Sequence, residues 1–311
     1  MVPEFHPLFR NPHVQTIAAH LWPRPQSAQV MHRRYLKTEP GTQVLIETQH
    51  PAGEARGQIV MVHGLEGSGE AGYMKSLAAA ALDAGFSAHR FHMRTCGGTE
   101  HLTGTLYHAG LTSDLLAALR DLGPAHLVGF SLGGNVVLKL AGELGDSGPG
   151  LLRSVIAVSA PLDLALCARR IAEWDNRLYE RRFVRRMRAR LCATGRYKPA
   201  DFEGCRSVLD IDERITAPSF GFGTADRYYA SQSALGFLDR IQVPALLIHA
   251  KDDTLAPFSI CEAEAVKRNP NIHLFATDHG GHLGFLARGR NRFWLDEAIL
   301  SCVTTGLQAG C

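Results

Sequence analysis

A serine hydroxyl becomes a useful nucleophile only when a base takes its proton and a third group orients that base. Three widely separated stretches of this chain supply residues of those types. In Gly129-Phe-Ser-Leu-Gly133, Ser131 is the centre of a G-x-S-x-G. It sits between the apolar pair Leu127 and Val128 and the run Val136, Val137, Leu138, Leu140 and Ala141. A strand leading in and a helix leading out leave a residue or two for the reversal. Ser131 is therefore expected in a strained conformation at the tip, with glycines where a Cβ would crowd strand and helix. The hydroxyl would stand beside a helix N-terminus whose free N–H groups favour developing negative charge.

For a nucleophile on such a strand–turn–helix, the partners follow in the order acid, then histidine. Asp252 and Asp253 both follow the apolar run Ala245–Ala250. Asp253, at the tip of the loop before Pro257, is the expected acid, and Asp252 is its rival. The aspartate not used is expected to cap the turn. Further on, Ile272-His-Leu-Phe-Ala-Thr-Asp-His-Gly-Gly-His282 supplies three histidines. Gly280 and Gly281 would let that loop bring an imidazole close to another backbone, so His282 is the expected base. His279 is read as structural and His273 as a sheet-face residue. The oxyanion needs donors, expected from the backbone N–H of Leu132 and of Leu65 in His63-Gly-Leu-Glu-Gly67. Gly64 would free the backbone to turn the Leu65 N–H inward. The plain alternatives are a glycine-rich turn with an idle serine and a tight strand exit at His63. A phosphate-binding reading fails, because no Walker lysine or G-x-G-x-x-G is present.

These residues need a frame, and the chain alternates in a way that provides one. Strands are expected at Val30–Lys37, Gln43–Gln49, Gln58–His63, Phe86–His92, Leu127–Val128, Ser154–Ser159, Ala245–Ala250 and Ile272–Ala276. Helices are expected at Tyr73–Ala84, Gly110–Leu122, after Ser131, at Ile260–Lys267 and at Phe293–Val303. Alternation of this kind predicts an α/β domain with a mainly parallel sheet covered on both faces, the first two strands forming an antiparallel edge. Ligands of such sheets sit beyond the carboxyl ends of the strands, where Ser131 is placed. Residues 164–243 interrupt the alternation with no clear strand and are read as an inserted helical cap. The core then comprises residues 26–163 and 244–311, preceded by a proline-rich arm, 1–25, with a short helical turn near Val14–His20. Within the cap, Arg169 to Arg196 holds ten arginines against three acids. Two apolar sets out of phase, Ile171/Trp174/Leu178 and Phe183/Met187/Leu191, predict two helices or a kinked one. The arginines are expected as a solvated face, or as a surface for anionic substrates or peripheral membrane contact.

A net charge of +3 over 311 residues and the lack of an aromatic-and-basic RNA motif argue against nucleic acid as a partner. The seven cysteines are odd in number and form no C-x-x-C pair, so neither a metal site nor a disulfide framework is expected. A reduced, cytoplasmic compartment follows as the expectation. No signal peptide, transmembrane segment or prenylation box at Cys311 is read.

The sequence resembles the α/β-hydrolase superfamily over nearly its whole length. Within it the likeness is to the YheT-like hydrolases, a branch that includes the yeast medium-chain ester enzymes and animal acylglycerol lipases. Arg10-Asn-Pro-His-Val-Gln-Thr-Ile17 and Tyr107-His-Ala-Gly-Leu-Thr-Ser-Asp114 are its more specific motifs. His63–Gly67, Gly129–Asn135, Asp252-Asp253 and Gly281-His282 are also similar. The chain departs at Arg94-Thr-Cys-Gly-Gly98, where the family usually has glycine after the arginine, and His101–Thr105 lacks the family's usual asparagine and arginine. The resemblance implies the α/β-hydrolase fold in one domain and a triad of Ser131, Asp253 and His282. The activity expected is hydrolysis of a small-molecule carboxylic ester, of short- to medium-chain acyl groups or acylglycerols, with no cofactor or metal. The alternatives are acyl transfer or thioester hydrolysis on the same triad, and a non-catalytic scaffold binding a ligand or partner.

Overall fold

Eight strands form one sheet in the order β1-β2-β4-β3-β5-β6-β7-β8 in the computed structural model, which describes residues 2–289 and 291–306. They are β1 (His32–Glu39), β2 (Thr42–Gln49), β3 (Gln58–Val62), β4 (Ser87–Phe91), β5 (Ala125–Phe130), β6 (Leu152–Val158), β7 (Ala245–Ala250) and β8 (Ile272–Thr277). The Pro40-Gly41 turn, with Gly41 at φ 74, folds β1 back on β2. β2 also runs antiparallel to β4, while every later pairing is parallel. Parallel neighbours need a long crossover, and helices supply it.

Successive residues of the central strands feed opposite cores, as the period of two demands. Ile59, Met61, Val128, Phe130, Ile156 and Ile248 face α2 (Gly72–Asp83) and the C-terminal helix Trp294–Thr305. Val60, Val62, Leu127, Val155 and Leu247 face α3 (Ser113–Leu122) and α4 (Leu132–Leu144). The expected helix Ile260–Lys267 is broken at Ala263 into a tight turn, Phe258–Glu262, and the short helix Glu264–Arg268.

Between β6 and β7 lie α5 (Leu164–Ile171), α6 (Arg177–Ala193) and shorter helices, including Ala225–Gln232. Val184, Met187 and Leu191 of α6 pack with Phe202, Val208 and Ile211 in a core of their own. The first apolar set behaves differently. The Trp174–Asn176 turn buries Asn176, whose Nδ2 donates to the carbonyls of Arg170 and Thr254, and this leaves Trp174 and Leu178 in solvent.

The N-terminal arm is more ordered than a tail with one turn. Asn11 accepts from Val14 N–H at 3.0 Å as an N-cap, Pro12 takes the first helical position, and α1 runs Pro12–Leu21. Among the described residues no helix is long and apolar enough to cross a membrane. The Cys311 expectation lies outside the described residues.

Candidate active site

The β5–α4 junction reverses within one residue. Ser131 holds φ 51 and ψ −120, a conformation that costs a non-glycine residue about 1–3 kcal/mol. Its N–H donates to the Val158 carbonyl of β6 at 2.8 Å, and its own carbonyl accepts from Gly134 N–H at 2.8 Å. A Cβ at Gly129 would strike the Gly133 carbonyl, and one at Gly133 would strike the Val62 carbonyl of β3. The glycines of the motif are therefore required by the close approach of α4 to two strands.

The three residues singled out for proton handling meet here. Ser131 Oγ lies 2.8 Å from His282 Nε2, and His282 Nδ1 lies 2.9 Å from Asp253 Oδ2 and 3.1 Å from Oδ1. An ionised carboxylate only accepts, so Nδ1 carries the proton and the Nε2 lone pair faces the serine hydroxyl. Burial opposes ionisation of Asp253, but His282, His249 and the Ala256 N–H more than offset it and hold the carboxyl below its ordinary range. Asp253 Oδ1 also accepts from Leu255 and Ala256 N–H, so it caps its own turn. Asp252 does not cap the turn. Its Oδ1 accepts from Gly281 N–H at 2.8 Å and its Oδ2 lies 3.2 Å from His279 Nδ1, so both aspartates grip the histidine loop. His273 sits half-buried on β8.

Leu65 and Leu132 line the same cavity as Ser131 and His282, and neither N–H has a hydrogen-bond partner among the described residues. Gly64 serves by size. A Cβ there would lie 3.1 Å from Ser131 Cβ, and the positive φ of the loop falls on Glu66, at 53. Two buried contacts hold this loop. His63 Nδ1–H donates to the Gly64 carbonyl at 2.8 Å while Nε2 accepts from Met93 N–H, and burial pushes the imidazole down to about 3, keeping it neutral. The Glu66 carboxylate takes Arg190 Nε–H on both oxygens at 2.9 Å and the Tyr107 hydroxyl at 3.0 Å. Arg190 comes from α6, so the inserted helices grip the loop that carries the Leu65 N–H. Arg190 also donates to Thr95 Oγ1 at 2.8 Å. Thr95 holds φ 61, and it is the residue at which the sequence departs from the glycine usual in the resembling family.

α1 contributes as well. Thr16 Oγ1 accepts from His282 N–H at 2.9 Å and donates to the Pro12 carbonyl, while Gln15, fully buried, donates to the Leu286 carbonyl at 2.7 Å. A Cβ at Gly281, φ 59, would come within 2.5 Å of Pro12 O and Thr16 Oγ1. The backbone that Gly281 approaches is that of α1, while Gly280 packs against Ala250 and the Phe285 ring. Sequence reasoning missed Gln15, Thr16, Glu66 and Arg190. The Asn11-Pro12 helix start was the available signal for the first two, and none marked Arg190 among ten arginines.

The cavity over Ser131 opens to solvent and holds about 80 Å³ of water-accessible space. Pro161, Leu164, Ile171, Phe183 and Met187 give it apolar walls. Its polar wall holds Asp212, on a single π-helical turn (Asp212–Thr216), whose carboxyl burial pushes up to about 6 and which accepts from the Tyr229 hydroxyl at 2.7 Å. No cluster of side chains suited to a metal ion occurs among the described residues.

A profile of the α/β hydrolase fold family matches residues 58–288. YheT of Escherichia coli (strain K12) is 32% identical over 326 residues, covering 98% of this chain and 94% of YheT. The medium-chain fatty acid ethyl ester synthase/esterase 2 of Saccharomyces cerevisiae is 28% identical, covering 91% of this chain and 67% of the yeast protein. Among solved structures, the Pyrococcus furiosus esterase Pf2001 superposes with a TM-score of 0.60 at 18% identity, covering 90% of this chain and 95% of that one.

Proposed function

The chain belongs to the α/β-hydrolase family, in its YheT-like branch, and on that premise we propose a serine hydrolase that cleaves carboxylic esters through an acyl-enzyme. The observation that carries this reading is the unbroken hydrogen-bond chain Asp253–His282–Ser131, with Ser131 opening into an apolar cavity. Ser131 Oγ attacks the ester carbonyl as its proton passes to His282 Nε2. Asp253, kept ionised, holds the ring and stabilises the imidazolium. The N–H groups of Leu65 and Leu132 receive the oxyanion, a contribution of about 3–4 kcal/mol per donor in related chemistry. His282 returns the proton to the leaving alcohol, then activates water to release the acid. The apolar walls suit a short to medium acyl chain.

Hydrolysis of p-nitrophenyl esters of increasing acyl length tests the reading. A burst of nitrophenol followed by slower turnover is expected, with activity lost in His282→Ala. Turnover that survives His282→Ala contradicts it. The yeast relative's name includes ester synthase, so acyl transfer to an alcohol is the second reading on the same triad. Added ethanol would then divert the acyl group from acid to ethyl ester.

A further inference from the structure

Eleven large hydrophobic side chains are exposed among the described residues, and six of them gather in one region. Val14, Ile17 and Leu21 form a stripe on α1, on the side away from the buried Gln15 and Ala19, with Trp22 directly after it. Trp174 and Leu178, 75% and 66% exposed, stand at the turn into α6. The two helices touch. His13 stacks on Tyr179 at 5.7 Å, and Arg182 donates to His20 Nε2 at 2.7 Å. Loosely scattered apolar residues need no explanation, but a gathering of this size on neighbouring helices does.

The exposed charges around it that lack an opposite partner are positive. Arg177, Arg181, Arg182, Arg185 and Arg186 have no carboxylate at ion-pair distance among the described residues, whereas Arg170 beside them is satisfied by Glu173 and Asp175. Arg185 and Arg186 both lie close enough to Arg182 to repel it. Arg177 lies over the Trp174 ring, 4.6 Å from its centroid. A second copy fits poorly, because a two-fold contact would set these guanidiniums against their own kind. Tryptophan and leucine protruding from helices beside unpaired arginines match an element that lies in the headgroup layer of a bilayer. We propose that the outer faces of α1 and of the Trp174–Arg186 segment form a docking surface for an anionic lipid membrane. Apolar side chains enter the acyl boundary while the arginines pair with lipid phosphates. α1 also holds His282 through Thr16, so the surface adjoins the histidine loop.

Co-sedimentation with vesicles of phosphatidylcholine alone and of phosphatidylcholine with an equal part of phosphatidylglycerol tests this, using the full chain carrying Ser131→Ala so that no ester is consumed. The expected result is binding to the anionic vesicles only, falling steeply with salt. Arg181→Glu/Arg185→Glu should weaken it roughly a hundredfold or more. Trp174→Ser/Leu178→Ser should weaken it at every salt concentration. In the Ser131 background, the charge-reversed chain should hydrolyse a soluble p-nitrophenyl ester as the wild type does. Equal binding to both vesicles, binding unchanged by either double substitution, or a salt-independent dimer with no vesicle binding overturns the proposal.

Discussion

Arg190→Met isolates the contact between α6 and the loop that carries the Leu65 N–H, the proposed oxyanion donor. The substitution keeps an apolar stem in place but removes the guanidinium that meets both Glu66 oxygens at 2.9 Å. Glu66 is 5% exposed with Arg190 in place, and without it the Tyr107 hydroxyl would be its remaining side-chain partner. Orphaning one member of a buried ion pair costs about 3–5 kcal/mol of stability. The loop is expected to relieve that cost by moving the carboxylate toward water, and the Leu65 N–H moves with it because Glu66 is the next residue. Complete loss of one oxyanion donor lowers kcat about 100- to 1,000-fold. Tyr107 and His63 still restrain the loop, so a fall of about 10- to 100-fold is expected, with KM for a small p-nitrophenyl ester changed far less. Adding Glu66→Gln removes the orphaned charge and should recover most of the stability while kcat stays low. Both quantities come from steady-state kinetics and urea unfolding on the same preparations. A folded Arg190→Met enzyme with wild-type kcat would refute the argument that this pair positions the donor.

Other substitutions probe neighbouring contacts. Thr16→Val removes the acceptor for His282 N–H; a buried donor left unpaired costs about 1–3 kcal/mol, and a lower kcat at unchanged fold content is expected by circular dichroism and kinetics. Gly281→Ala forces a Cβ against α1 at a positive φ and should abolish ester turnover; retained turnover would show that α1 yields. Stability should also depend on pH. Burial raises Asp212 and Asp296 from 3.8 to about 6, so in that interval the folded state binds protons the unfolded chain has released. Their contribution is full below 3.8 and lost as pH rises through 6. Asp212→Asn should flatten that part of a Tm-versus-pH curve, and an unchanged slope would remove Asp212 as its source. Glu47 acts in the opposite sense. Burial works against its ionisation, but His92, Arg90 and Arg33 hold it down at about 2, so its contribution persists from above 4.5 and fades only as pH falls toward 2.

What could be read from the sequence follows the range of the interactions. The β5–Ser131–α4 turn is a local event, written in five consecutive residues, and its glycines were legible because strand and helix collide within that span. The order of acid and histidine follows from the strand order of the sheet. Asp252 and Asp253 are harder to tell apart, since both reach the histidine loop, Asp253 at the His282 imidazole and Asp252 at the Gly281 N–H and the His279 imidazole. The Thr16–His282 and Glu66–Arg190 contacts join residues 266 and 124 positions apart. No local spacing encodes them. Trp174 misled the apolar pattern for a related reason, because the polar Asn176 beside it makes the buried hydrogen bonds.

The most direct measurement is the site of covalent modification by a fluorophosphonate, read by peptide mass spectrometry on the wild-type chain and on Ser131→Ala. One adduct per chain is expected, on Ser131, formed slowly in His282→Ala and absent from Ser131→Ala. An adduct on another residue, or equal labelling of the Ser131→Ala chain, contradicts it.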